Sequence, residues 1–272
     1  MADPVIAAVQ MTSGLDVAAN LEVATRLIAE AGRGGACVVV LPENFAFMGR
    51  GEAERRGVVE YLDDGPIQRA VADAACAAGT WVIAGTTPIA VPGDPRPANA
   101  CLVYDNRGRR VARYDKIHLF DVDIPGRDEG YRESANATPG RDAVVVDTPA
   151  GRVGLSVCYD LRFPELYRRL VAQGAEIFTV PAAFTTPTGR AHWEVLLRAR
   201  AIEDLCFVVA AAQSGSHPNG RETYGDSMVV DFWGRILRRR PRGTGVVVTA
   251  LDRAAQAAAR ERFPALSHRV LE

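Results

Sequence analysis

Residues 154–166, GLSVCYDLRFPEL, place a thiol where a thiol can react. Val153, Leu155 and Val157 alternate with small residues in the manner of a buried strand. The run ends at Cys158, and Phe163-Pro164-Glu165-Leu166 then opens a helix, with Pro near the first turn and an acid behind it. At a strand-to-helix elbow, free backbone N–H groups and the positive end of the helix dipole favour the thiolate, which is the nucleophilic form. The competing reading is an inert small hydrophobe at a strand end. Two charged side chains also lie just past strand-like runs. Glu43 follows Val38-Val39-Val40-Leu41-Pro42, and Lys116 follows Arg113-Tyr114-Asp115. Functional groups in open α/β sheets gather at the carboxyl edges of strands. Taken singly, each charge reads better as a solvated group at a strand end.

Taken together, Glu43, Lys116 and Cys158 resemble the Glu-Lys-Cys set of the nitrilase superfamily, the carbon–nitrogen hydrolases. The blocks LPENF, YDKIHLFD and GLSVCYDLRFPEL match in residue type, order and spacing, and the likeness runs along essentially the whole chain. It implies a thiol amidase that cuts a carbon–nitrogen bond through a Cys thioester. Cys158 would attack the carbonyl. Glu43 would take the thiol proton, pass it to the leaving amine and then activate water; a carboxylate is a poor acid at neutral pH unless burial raises its pKa. Lys116 would hold the oxyanion together with the backbone N–H of Tyr159. Glu133, in Tyr131-Arg132-Glu133-Ser134, matches the family's second glutamate and would orient Lys116 or the substrate amide. A loop glutamate is otherwise exposed, and its rival Glu194 stands where a helix start is expected.

The same resemblance assigns substrate contacts to Arg162, Phe184 and Thr188. Arg162 lies four residues after Cys158, where a guanidinium could clamp a carboxylate with two parallel bonds. By position alone it is equally an exposed cation at a helix start, and Phe184 and Thr188 are equally loop packing. His118 competes as a base, because thiol hydrolases often pair Cys with His; a neighbouring ammonium would disfavour its charged form. There is no G-x-S-x-G for a serine mechanism. A catalytically silent protein on this fold would lack one of Glu43, Lys116 and Cys158. The stretches 189–203, 208–215 and 224–234 are similar to the superfamily branch that hydrolyses deaminated glutathione. The bond attacked there joins a 2-oxo acid to cysteinylglycine, so the products are 2-oxoglutarate and the dipeptide. The neighbouring ω-amidase branch releases ammonia from 2-oxoglutaramate with the same residues. Room for a dipeptide is decided by 216–222 and 121–132.

The elements that position these groups alternate along the chain. Strand-like runs cover 5–9, 37–41, 81–86, 101–104, 111–114, 143–146, 153–157, 177–180, 207–211, 228–232 and 246–250. Helical periodicity covers 17–31, 66–78, 163–173, 192–204 and 252–262. Strands that follow one another without a helix exclude a simple βαβ repeat and predict two sheets with helices outside. The resemblance makes this an α/β fold, the four-layer α-β-β-α sandwich of the nitrilase type. The Pro-rich segment 88–97 reads as a loop, 235–242 as an exposed basic turn, and 117–140 as a long functional loop.

The 272 residues are 48 % apolar, with no linker or repeat, and read as one domain, 1–272. A formal charge of −1 argues against nucleic-acid binding. No apolar stretch reaches the roughly 20 residues of a membrane span, and the start lacks a signal-peptide pattern, so a cytoplasmic enzyme is expected. Five cysteines without close pairs fit a reducing compartment. Of these, Cys37, Cys76, Cys101 and Cys206 read as buried and unreactive. Without C-x-x-C or H-E-x-x-H, neither metal nor other cofactor is expected, and the partner is a small amide substrate. The resemblance further implies a homodimer or higher homo-oligomer, packed through helices 163–173 and 192–204. Trp193, Val195, Leu196, Leu197, Ala199 and Ile202 give the latter more apolar surface than one core-facing stripe requires.

Overall fold

The computed structural model describes residues 2–49, 52–126 and 129–270. Elements are numbered along the chain. Runs of β-branched and small apolar residues form the first sheet. In it Val5–Gln10 (β1), Val38–Val40 (β2) and Trp81–Ile83 (β3) lie parallel, with Ile6 opposite Val38 and Val38 opposite Trp81. Thr87–Val91 (β4), Asp94–Tyr104 (β5) and Arg110–Asp115 (β6) extend it antiparallel. Two short hairpins stand apart, Asp121–Asp123 (β7) with Gly130–Arg132 (β8), and Ser214–Ser216 (β13) with Glu222–Tyr224 (β14). The second sheet contains Val145–Thr148 (β9), Gly151–Leu155 (β10), Ile177–Ala182 (β11), Phe207–Ala212 (β12), Ser227–Val230 (β15) and Ile236–Arg240 (β16). The last strand, Gly245–Ala250 (β17), returns to the first sheet beside β1.

The sheets face each other through β1 and β12, and alternation sets which side chains lie between them. Ile6 and Ala8 share a core with Val208 and Val180, whereas Ala7 and Val9 share one with Leu27, Ile28 and Val71. The latter three come from Val17–Arg33 (α1) and Pro66–Ala78 (α3), which cover the outer face of the first sheet. The five-residue helix Glu52–Arg56 (α2) precedes α3 in the chain. Pro164–Ala172 (α4) and Thr186–Asp204 (α5) lie on the second sheet, and Arg253–Arg262 (α6) follows the last strand. Helix starts follow local chemistry: the Asp16 side chain accepts from Ala19 N, Asp252 from Ala255 N, and α3 and α4 begin on proline. The layers are α-β-β-α, as expected.

Several local expectations are corrected. The segment 88–97 is a hairpin, not a loop, turning at Gly93 (φ 82°). Pro88 is tolerated because β4 is an edge strand, where a missing N–H breaks no inner ladder, and Pro95 and Pro97 lie at the start of β5, outside its register with β3 and β6. The basic stretch 235–242 contains β16, also at an edge, where arginines discourage further pairing. The long segment 117–140 carries the β7–β8 hairpin and a single 3₁₀ turn, Glu133–Ala135. Helix α5 begins six residues before His192, so Glu194 lies well inside it and pairs at the surface with Arg198 and Arg239. Cys76 is exposed and Cys37 half-buried; on α3 the buried stripe is Ile67, Val71 and Ala75, and Cys76 falls about 100° away from Ala75.

Candidate active site

Three strand ends deliver the charged cluster. Leu41 and Pro42 carry the chain out of β2 to Glu43, and Asn44 adopts a left-handed φ of 56°, with its N–H donating to Thr86 Oγ1 at 2.9 Å. Gly85 (φ 46°) lets the strand beside it pass this turn, since a Cβ there would stand 1.9 Å from Pro42 O. The turn is pinned from the second sheet by buried Gln213, whose Nε2 donates to Glu43 O at 3.1 Å and to Ser13 Oγ at 2.8 Å. Lys116 directly follows β6, its backbone N–H bonded to Asn99 O at 3.1 Å. Cys158 follows β10 and itself has a left-handed φ of 51°. Such backbone is costly for a residue with a Cβ and points to a built site.

Asp160, fully buried, holds this strained elbow against the lysine strand. Its Oδ2 accepts from Val157 N at 2.8 Å and Tyr114 Oη at 2.6 Å, and its Oδ1 from His118 N at 3.0 Å. One carboxylate thus grips the residues two before and two after Lys116, and the residue just before Cys158. His118 is committed here too: its Nδ1 is 2.7 Å from Asp160 Oδ1 and its ring stacks on Phe163 at 3.7 Å. Among the described residues no hydrogen bond joins it to the thiol.

The side chains converge in a dry cluster. Lys116 Nζ, 1 % exposed, donates to Glu43 Oε1 and to Glu133 Oε2, both at 2.8 Å. Asn99 Nδ2 bridges the same carboxylates, at 3.3 Å from Glu43 Oε1 and 3.2 Å from Glu133 Oε1. Glu133 also accepts the N–H of Phe120 at 2.7 Å. Burial works against the Lys116 ammonium, but the charges of Glu133 and Glu43 outweigh it and its pKa is raised. Burial likewise works against the Glu133 carboxylate, but Lys116 and the Phe120 N–H hold it below the usual range. The Cys158 thiol is pushed up, by burial first and then by the Glu43 carboxylate bonded to it, against the pull of Lys116. This corrects the expectation of a stabilised thiolate. The elbow is a single 3₁₀ turn, α4 begins only at Pro164, and the nearest hydrogen-bonded charge is an anion.

A cleft of about 650 Å³ opens over this cluster. Glu43, Lys116, Glu133 and Cys158 all form part of its wall, with Phe47, Phe120, Tyr131 and Arg221 among the others. Arg162, Phe184 and Thr188 gather elsewhere beside the elbow. Arg162 lies over the rings of Tyr159 (5.9 Å) and Phe184 (5.6 Å) and donates to His192 Nδ1 at 3.2 Å, while Thr188 Oγ1 bonds to Thr185. None of these three belongs to the cleft wall. Sequence reasoning missed Asn99, Asp160 and Arg221. The prolines around Asn99 masked its strand, and the others act through partners remote in the chain.

Fold and cluster define a hydrolase of amide carbon–nitrogen bonds. The chain belongs to the carbon–nitrogen hydrolase family, whose model matches residues 5–261. A deaminated glutathione amidase of Yersinia enterocolitica is 42 % identical over 264 residues, 97 % of this chain and 92 % of that one. The crystal structure of the C. elegans NitFhit protein superposes with a TM-score of 0.91 at 39 % identity, over 99 % of this chain; the chain spans 66 % of that protein. Saccharomyces cerevisiae Nit3, a member of branch 10 of the nitrilase superfamily, superposes with a TM-score of 0.88 at 27 % identity, over 99 % of this chain and 97 % of that one. No helix among the described residues is long and apolar enough to cross a membrane.

Proposed function

We propose that the protein hydrolyses deaminated glutathione, with Cys158 as nucleophile, Glu43 as proton carrier, and Lys116 and the Tyr159 N–H as oxyanion donors. The supporting observation is the cluster itself: a buried ammonium bonded at 2.8 Å to two carboxylates, one of which also contacts the thiol. With the Cys158 thiol pushed up by burial and by the Glu43 carboxylate, Glu43 takes its proton as the sulfur attacks the carbonyl. The tetrahedral oxyanion forms beside Lys116, whose charge is already in place and needs no reorganisation. Collapse breaks the C–N bond, Glu43 returns the proton to the departing amine, and a thioester remains. Glu43 then deprotonates water, which attacks the thioester; the acid leaves and the thiol is restored. Glu133 keeps Lys116 aimed throughout. Arg162, next to the elbow but outside the wall of the cleft as it stands, is the proposed cation for the 2-oxo carboxylate, with Phe184 and Thr188 beside it.

The deaminated glutathione relatives and a cleft of about 650 Å³ favour an amide with a dipeptide leaving group over 2-oxoglutaramate. Comparison of kcat/KM for the two substrates tests this: the dipeptide amide should be preferred, and a preference for 2-oxoglutaramate would assign an ω-amidase instead. Cys158→Ala should abolish both activities in a folded protein, and turnover above about a hundredth of wild type would sink the mechanism. The proposal extends to a single 1–272 domain, a cytoplasmic location and a homodimer.

A further inference from the structure

The cleft wall carries more positive charge than its own acids neutralise. Its acids are Glu43, Glu129 and Glu133, and its cations Arg55, Lys116, Arg132 and Arg221. Lys116 is matched by Glu43 and Glu133, and Arg132 Nη2 by both oxygens of Asp123 at 2.8 and 2.9 Å. Glu129 accepts the hydroxyl of Tyr131. The Nε and Nη2 of Arg55 are buried without a hydrogen-bond partner, but its charge bears on Glu133, whose carboxyl it helps to hold down. Arg221 is the other wall cation outside these pairs. Among the described residues no carboxylate pairs with it, its Nε has no partner, and it stands in the wall beside Asn219 and Gly220.

Arg221 is also held in place before any substrate arrives. Its Nη2 donates to Ala183 O, and its guanidinium lies 4.9 Å over the Tyr131 ring. Tyr131 packs in turn on Phe120 at 5.0 Å. The turn between β13 and β14 and the β7–β8 hairpin therefore meet at this contact, and both line the cleft. A guanidinium fixed on an aromatic face loses little rotamer freedom on binding an anion. The catalytic cluster, two carboxylates around one ammonium, repels a second substrate carboxylate and favours its placement at the unneutralised arginine.

We infer that Arg221 binds the terminal carboxylate of the leaving dipeptide, and so selects amides of carboxylate-ended amines over the simple amide. This rests on the function proposed above. The test measures kcat/KM for three amides of the same 2-oxo acid, with cysteinylglycine, with cysteinylglycinamide and with ammonia, in wild type, Arg221→Gln and Arg221→Lys. Wild type should lose on the order of 10- to 100-fold when the terminal carboxylate becomes an amide. Arg221→Gln should lose a similar factor on the cysteinylglycine substrate and little on the other two, and Arg221→Lys should recover part of it. Equal losses on all three substrates would show that Arg221 only props Ala183, and would overturn the inference. The wild-type comparison stands even if a variant fails to fold: hydrolysis indifferent to the terminal carboxylate overturns the inference and leaves the function intact. No turnover of the cysteinylglycine amide overturns both.

Discussion

Glu43 touches both partners of the proposed chemistry, and that makes its substitution informative. Its charge is the second cause, after burial, of the raised Cys158 pKa, while Lys116 pulls the other way. Glu43→Gln removes the anion and leaves the cation. Thiolate absorbance should then show Cys158 titrating at lower pH than in wild type, by about one to three units, although turnover collapses. An unchanged or higher titration would mean that burial alone sets the thiol. Lys116→Ala should lower kcat by about 10² to 10³ with little change in KM, as for loss of an oxyanion donor; an effect confined to KM would reassign Lys116 to binding. Glu43, Lys116 and Cys158 each follow a strand-like run, but they were legible only together, through the blocks LPENF, YDKIHLFD and GLSVCYDLRFPEL. Glu133 was visible only through its motif, since nothing local shows that a loop glutamate will lie against Lys116. Arg221 and Asp160 were invisible, because Ala183 and Tyr131 are remote in the chain from the one, and Tyr114 and His118 from the other.

Elements whose apolar period is uninterrupted were read almost to the residue; α3 is observed at Pro66–Ala78 as expected. Those where sheet position overrides composition were not, notably the proline-bearing β4 and arginine-bearing β16, both edge strands. Helix α5 carries its own conflict at its last residue. Asp204 is fully buried at the C-terminal end, where the helix dipole disfavours an anion. Burial pushes its carboxyl from 3.8 up to about 7, despite Arg168 Nη1 at 2.9 Å. A pKa raised on folding stabilises the fold fully below the unfolded value, and that contribution fades as pH rises through the folded one. Between pH of about 4 and 7 the wild type should therefore lose stability relative to Asp204→Asn, which has no charge to bury. Thermal denaturation of both across that range checks the sign. A gap moving the other way would mean that the Arg168 pair dominates and Asp204 stays ionised.

At the scale of the molecule, the cleft exists because two sheets end together. Glu43 and Lys116 leave the first sheet and Cys158 the second, so nucleophile and base come from different layers and their spacing depends on sheet packing. What the layers leave outside bears on assembly. Helix α5 buries Trp193, Leu197 and Ala201, yet Val195 and Ile202, two turns apart on one face, are 67 % and 50 % exposed. Trp233, 55 % exposed, meets Phe263, 54 % exposed, edge to face at 5.7 Å, and the Cβ direction of the adjacent Gly234 points at Ile202. Large apolar side chains gathered on one surface are a feature of subunit contacts. By contrast α4, expected to share the contact, turns Glu165 and Arg169 to solvent, so α5 is the better centre for it. A two-fold dimer would bring Val195 and Ile202 of both copies together. Light scattering at micromolar concentration should give twice the 29.2 kDa chain mass, and Val195→Glu with Ile202→Glu should give the chain mass while melting remains cooperative. A wild-type mass of one chain, or a double variant that stays dimeric, would remove α5 from the interface.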